Sequence, residues 1–294
     1  MSPYLWMCFG TFMMAVMGIL THQVGRSESC PWQMVAFIRM FSMFLVMLPI
    51  SRMAGICFPF HASWNLWGRT LGGVSGALCT FFALTHIPVS DATTLFNTAP
   101  VWIVMLTWMI YRVVPSWQIG VAIFCCMIGV IIVHQPRFAA ANLVEILGVA
   151  ASALTAFFMA VAFMNLNTLK EVPSLMIVMH FSFWGSVILF IFCLFTCGVT
   201  PAAFSENFRI FPDGILLLSV GLTGAVGQIG ITKAYKRGVA TKISVVGLLQ
   251  VVYAAGLEMI LWSRTFTARE VLGFCMILVP VAVIILKNSR RTAE

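Results

Sequence analysis

The sequence predicts an all-α integral membrane protein: ten transmembrane helices in a 5+5 inverted repeat, with both termini in the cytoplasm. Three observations support this fold class. Of the 294 residues, 61% are hydrophobic and only 9% are charged, whereas a soluble domain carries about a quarter charged residues. The apolar residues also form ten runs of span length. Finally, the two halves of the chain resemble each other.

The ten apolar runs are each long enough to cross a hydrocarbon core, which takes about 20 helical residues. Several gaps between them are short, such as "HIPVS" and "YRVVPSW", so successive helices must be antiparallel neighbours. The first run has no basic segment before it and no clear cleavage site, and we interpret it as a retained span. The predicted spans are 4–24, 32–51, 66–86, 90–111, 116–134, 144–166, 174–197, 214–234, 242–262 and 269–287.

The distribution of Lys and Arg predicts the orientation, because basic residues are retained on the cytoplasmic side. With the N-terminus inside, the cytoplasmic segments hold eleven basic residues and the opposite loops hold five, while Arg39 lies within a span. The stretch "KAYKRGVATK" (233–242) supplies four of the eleven and is interpreted as a cytoplasmic turn. The eleven are Arg52, Arg69, Arg112, Lys170, Lys233, Lys236, Arg237, Lys242, Lys287, Arg290 and Arg291, and the five are Arg26, Arg137, Arg209, Arg264 and Arg269.

The internal similarity is weak but ordered. "FFALTHIPVSDATTL" and "ITKAYKRGVATKISV" align with Ala83 on Ala234 and Ser90 on Thr241. Such symmetry is typical of many transporter folds. Five spans per half is an odd number, so the second copy must enter the membrane inverted. We predict repeat boundaries at 1–138 and 139–294.

Composition argues against several other classes of protein. The net charge of +8 comes from short gaps between apolar runs, which indicates loop bias rather than nucleic-acid binding. The nine cysteines fall mostly within apolar runs, without metal-like spacing, so neither a disulfide framework nor a metal site is predicted. No motif suggests a cofactor. The expected partners are a small-molecule solute and the lipid bilayer, and the sequence is compatible with a monomer.

A set of motifs runs through most of the chain: "VAFIRMF" in span two, "GRTLGG" in span three, "LFNTAPVWIVML" in span four, "WQIGVAIFCCMIGVIIV" in span five, "GQIGITKAY" in span eight and "EVLGFCMIL" in span ten. In this order they resemble the EamA-type members of the drug/metabolite transporter superfamily, over nearly the whole chain. The resemblance implies a 5+5 inverted repeat with a central cavity, and alternating access for small organic metabolites such as amino acids, nucleoside-derived compounds and sugar derivatives.

One departure from the family stands out. Members commonly carry a Glu just after the fourth and ninth spans, where this chain has Arg112 and Arg264. A role that the family assigns to those two acids therefore does not transfer to these positions.

Ionisable residues within spans are functional candidates, because a charge in the bilayer is costly. Arg39 lies roughly 12 Å into span two, and it either binds the solute or braces the bundle. His180 lies at a similar depth in span seven and is a candidate for substrate binding and for proton coupling, since its reference pKa is about 6.5. Alternatively, His180 is neutral and forms a hydrogen bond between two helices. Glu258, near the outer end of span nine, is a second candidate for proton or cation coupling, or an acid paired with a neighbouring span.

Polar and aromatic residues complete the predicted substrate site. Asn97 and Gln250 stand at nearly matching points of spans four and nine, and their amides can donate to and accept from a polar ligand. Trp102 and Tyr253 can stack on a planar or cationic ligand. Gln228 in "GQIG" joins this set. Interhelical hydrogen bonding and packing are the alternative role for all of them.

The sequence favours a secondary transporter, not an enzyme. It would move an amino acid or a nucleoside-type compound across a bacterial inner membrane by alternating access. An anionic phosphorylated metabolite is a less favoured solute, because only Arg39 is basic at mid-depth. A membrane-embedded transferase or hydrolase is a second hypothesis for the chain, and a channel is a third. The sequence shows neither clustered ionisable residues at one depth nor a polar stripe along one helix.

Overall fold

The computed structural model describes residues 2–26, 31–56, 63–137, 142–196 and 214–291. Over these ranges the chain is helical, and they contain no strand. Three predictions fall outside the described residues: the last residue of the predicted span 174–197, the position of Arg209, and the repeat junction between residues 138 and 139.

Twelve helices make up the described ranges: α1 (Pro3–Arg26), α2 (Trp32–Met53), α3 (Trp64–His86), α4 (Val89–Phe96), α5 (Ala99–Tyr111), α6 (Trp117–His134), α7 (Leu143–Thr168), α8 (Ser174–Thr196), α9 (Ile215–Arg237), α10 (Ala240–Gly247), α11 (Leu249–Trp262) and α12 (Ala268–Arg291). In the described part of the chain, nine segments are long and apolar enough to cross a membrane, with α4–α5 and α10–α11 each counted as one. Helix α3 has 23 residues, which is the length of a span, but its mean hydropathy is lower than that of these nine segments.

Two predicted spans are interrupted. The sequence predicts continuous helices over 90–111 and 242–262, but α4 ends at Phe96 before α5 begins at Ala99, and Leu248 separates α10 from α11. In the first case Pro100 cannot donate a hydrogen bond to Phe96 and its ring crowds that carbonyl. In the second, Gly247 precedes the break, and glycine has a low helix propensity.

The turn predicted over 233–242 is shorter than expected. Helix α9 continues through Lys233 and Lys236 to Arg237, and α10 begins at Ala240. Only Gly238 and Val239 connect them, just as Ile87 and Pro88 alone connect α3 to α4.

Helix boundaries in the two halves correspond. The starts of α3 and α6 recur 151 residues later, from Trp64 to Ile215 and from Trp117 to Ala268. The packing is reciprocal as well: α1 packs on α9 and α7 packs on α3, while α2 packs on α8 and α6 on α12.

Candidate functional site

Buried polar side chains gather where α3, α8 and α9 meet. Arg69 is 2% exposed, and Thr70 and His180 are fully buried, as is Thr232 of α9. Gln228 of α9 is also buried. We call these five residues the Arg69 cluster. Because polar and charged groups are costly to bury away from water, a cluster of this kind is a candidate functional site.

The guanidinium of Arg69 is held by two neighbours. Its Nη2 donates to Oε1 of Gln228 at 2.7 Å, and its Cζ lies 4.5 Å from the ring centre of Phe181 on α8. Gly73 leaves room for this arrangement, because a Cβ atom at that position would lie 2.6 Å from both Nη1 of Arg69 and Cε2 of Phe181. Among the described residues, no carboxylate forms an ion pair with Arg69.

His180 is fixed beside Arg69 by the next residue of α3. Its Nδ1 shares a hydrogen bond of 2.8 Å with Oγ1 of Thr70. The indole of Trp67 meets the imidazole edge-on, with 5.0 Å between ring centres, and Trp184 covers it from α8. The adjacent pairs Arg69–Thr70 and His180–Phe181 therefore bind the two helices to each other.

Three buried polar atoms of the cluster have no hydrogen-bond partner in the described part of the chain: Nε of Arg69, Nε2 of His180 and Oγ1 of Thr232. Thr232 follows Gln228 by four residues, which places both on one face of α9. Buried polar groups are nearly always hydrogen-bonded. A guanidinium with an unpartnered Nε and no acidic partner, together with two further unpartnered polar atoms, thus suits a polar, negatively charged ligand.

Arg39 lies outside this cluster. It is buried in α2 with its Cζ 6.0 Å from the ring centre of Phe81. Phe81 stands twelve residues after Arg69 on α3, a rise of about 18 Å. The two buried arginines therefore occupy different levels of the bundle.

The remaining polar and aromatic candidates lie beside the interrupted spans. Asn97 and Gln250 stand at the two breaks, and the Asn97 amide donates to the Thr93 carbonyl at 2.7 Å. Trp102 of α5 meets Phe157 of α7 edge-on at 5.4 Å, and Tyr253 of α11 meets Phe12 of α1 edge-on at 5.6 Å. Within the described ranges, none of these hydrogen bonds and ring contacts joins the four candidates to the Arg69 cluster.

Glu258 takes part in an ion pair near the other end of α11. Arg264 binds both Glu258 and Glu270. Glu270 also accepts from the backbone N–H and the hydroxyl of Thr267, which forms a capping box at the start of α12. Arg264 is one of the two residues at which the sequence departs from the EamA-type pattern. In the structure it binds acidic residues from the two flanking helices, α11 and α12.

Arg69 is counted from the sequence only as a charge at the cytoplasmic end of the predicted span 66–86, and it is not identified there as a site residue. Arg69 lies five residues inside α3 and is buried. The sequence signal that could have identified Arg69 is the surrounding stretch "WNLWGRTLGG", in which apolar residues stand on both sides of the arginine. Thr70 and Thr232 were missed because an isolated threonine in an apolar helix carries no distinctive pattern.

Comparison with known proteins identifies the family. The sequence matches the EamA-like transporter family over residues 1–135 and again over residues 144–286. The chain belongs to this family. This confirms the resemblance to the drug/metabolite transporter superfamily, and the chain is a multi-pass integral membrane transporter.

Two curated relatives of this EamA-like transporter are distant in sequence. Two Pseudomonas aeruginosa proteins named pseudopaline exporter CntI, from strains UCBPP-PA14 and PAO1, are each 22% identical to it over 282 residues, 96% of this chain and 94% of theirs. A crystal structure superposes with a TM-score of 0.80 at 13% identity and covers 97% of both chains, which shows a shared fold. The family and the named exporters point to a transporter rather than an enzyme.

Proposed function

We propose that this EamA-like transporter moves a small organic metabolite with a free carboxylate, an amino-acid-type compound, across the bacterial inner membrane by alternating access. The observation that carries the proposal is the buried guanidinium of Arg69, which has no acidic partner among the described residues. A buried charge without a partner is strongly unfavourable. A substrate carboxylate would neutralise it, through the short charge-assisted hydrogen bonds that guanidinium forms.

Among the solutes that the sequence suggests, the cluster favours amino acids. A neutral nucleoside-type compound would leave Arg69 unneutralised. A phosphorylated compound carries about two negative charges, and Arg69 is the only Lys or Arg in the cluster, because Arg39 lies at another level. The indoles of Trp67 and Trp184 supply an apolar and aromatic wall beside His180.

Alternating access is supported by the correspondence of the two halves. Helix starts in the first half recur at corresponding positions in the second half, and the helices pack reciprocally. The family matches the chain in two segments. Spans four and nine are both interrupted, and discontinuous helices of this kind occur in many transporters. These features support an inverted repeat with boundaries near 1–138 and 139–294. When Arg69 is left out of the count, ten basic residues lie on the predicted cytoplasmic side and five on the opposite side. This excess still favours cytoplasmic termini.

His180 is the proton-coupling residue in this proposal, because it adjoins Arg69 and its Nε2 is unpartnered. Glu258 remains a second prediction for coupling. The two named relatives are exporters, which makes export the first direction to examine.

The test is flux through proteoliposomes that contain the purified chain. Vesicles loaded with radiolabelled amino acids, nucleosides or phosphorylated metabolites are followed with and without a pH gradient. We expect saturable release of at least one amino-acid-type compound, with neither of the other classes competing. Flux that never saturates would indicate a channel, and turnover of a substrate without flux would indicate an enzyme.

A further inference from the structure

A groove separates α6 from α12 near the end at which α6 begins. Its volume is about 390 Å³. Helix α10 contributes one residue, Lys242, and none of its lining residues belongs to α3, α8 or α9. The groove is therefore distinct from the Arg69 cluster.

The walls of the groove are apolar and exposed. Trp117 and Val121 of α6 are 74% and 48% exposed, and Val279 and Val283 of α12 are 61% and 56% exposed. In a chain that spans the membrane, exposed apolar side chains on the outer helices face lipid. An occupant of this part of the groove must itself be apolar.

The end of the groove is polar and positively charged. Lys242 and Lys287 both line it, and among the residues that the structure describes no acidic side chain does. The ammonium of Lys287 donates to Oε1 of Gln118 at 2.8 Å, which holds it over the first turn of α6. Unpaired N–H groups at a helix N-terminus add to the attraction for an anion.

An occupant with an anionic head and an apolar tail matches both parts of this surface. The charged end coincides with the starts of α6 and α10 and with the last turns of α12, which the proposed topology places at the cytoplasmic surface. There, lysines attract the anionic lipids of the inner leaflet. The assignment to that leaflet rests on the proposed topology.

We propose that the groove is a binding site for an anionic phospholipid of the cytoplasmic leaflet. The phosphate of the head group binds Lys242 and Lys287, and an acyl chain lies between α6 and α12 along Val121, Val279 and Val283. The lipid is a bound component of the transporter and not its transported solute.

The experiment measures phospholipid binding to the full chain by native mass spectrometry from detergent micelles doped with phosphatidylglycerol or phosphatidylcholine. We expect a clear preference for phosphatidylglycerol. The double variant Lys242→Gln/Lys287→Gln is expected to bind it about 30-fold more weakly, since each lysine near an anionic head group contributes about a factor of five. The matched control Arg52→Gln/Lys170→Gln removes two exposed charges outside the groove and is expected to change binding by less than twofold.

A second variant separates a lipid from a free anion and from a second copy of the chain. Val283→Trp fills the apolar part and retains both lysines, and we expect it to lose phosphatidylglycerol binding. Binding that Val283→Trp leaves intact and inorganic phosphate displaces would overturn the proposal in favour of an anion site. Equal binding of the two lipids would also overturn it, as would a lipid-independent dimer that Val283→Trp dissociates. Because none of these readouts uses transport, the result is independent of the proposed substrate.

Discussion

Arg69→Met is expected to abolish most transport while leaving the protein at least as stable as the wild type. Methionine roughly preserves the length and apolar stem of the side chain but removes the charge. Transport efficiency for an amino-acid-type substrate should fall about 100-fold, since a hydrogen bond to a charged group contributes up to about 3 kcal/mol. The measurement is initial flux in proteoliposomes over a range of substrate concentrations.

The stability of the same variant distinguishes a binding residue from a brace. Burying an ion without a partner costs several kcal/mol, whereas loss of the hydrogen bond to Gln228 costs about 1–3 kcal/mol. The melting temperature of substrate-free Arg69→Met should therefore equal or exceed that of the wild type. The matched control is Arg39→Met, which removes a buried guanidinium outside the cluster and should reduce transport less than tenfold. Wild-type transport with a lowered melting temperature in Arg69→Met would make Arg69 a brace.

Of the single substitutions considered for this protein, Gly221→Ala is expected to lower the stability of the fold the most. Helix α9 lies so close to α2 at this point that a Cβ at position 221 would be 2.0 Å from Oγ of Ser42 and 2.9 Å from the backbone nitrogen of Met43. Backbone cannot yield as a flexible side chain can, so the helices must separate. Overpacking of this kind costs about 3 kcal/mol, and the melting temperature in detergent should fall by several degrees.

The control for this prediction is Gly120→Ala on α6, where a Cβ would meet nothing within 4 Å. It should leave the melting temperature unchanged or raise it slightly, because alanine has the higher helix propensity. Adding Ser42→Gly to Gly221→Ala removes the two closest side-chain atoms and should recover part of the loss. Equal melting temperatures for Gly221→Ala and Gly120→Ala would contradict the close packing of α9 on α2.

Most helices follow from the sequence because the bilayer itself specifies their length and apolarity. The boundaries of α2 and α6, for example, fall within two residues of the predicted spans 32–51 and 116–134. The interruptions of spans four and nine were not predicted, although Pro100 was visible within a span. Hydropathy registers only apolarity, and an Asn or a Gly at a break barely changes it.

The site was only partly predictable, because its contacts join distant parts of the chain. His180 and Gln228 were identified as polar residues within spans, but their partners Thr70 and Arg69 lie 110 and 159 residues away in sequence. Arg69 stands close enough to the start of the predicted span 66–86 to be counted with the cytoplasmic charges. Similarly, Lys242 and Lys287 are identified from the sequence as cytoplasmic charges, but their meeting in one groove depends on how α10 packs near α6 and α12.

The central claim is that Arg69 recognises a carboxylate, and its most direct test compares one amino acid with its carboxamide. Once the panel has identified the best transported amino acid, the carboxamide counterpart is supplied as a competitor to wild-type and Arg69→Met proteoliposomes. We predict that the wild type prefers the carboxylate about 100-fold and that Arg69→Met loses this preference. Equal competition by the two compounds in the wild type would contradict the claim.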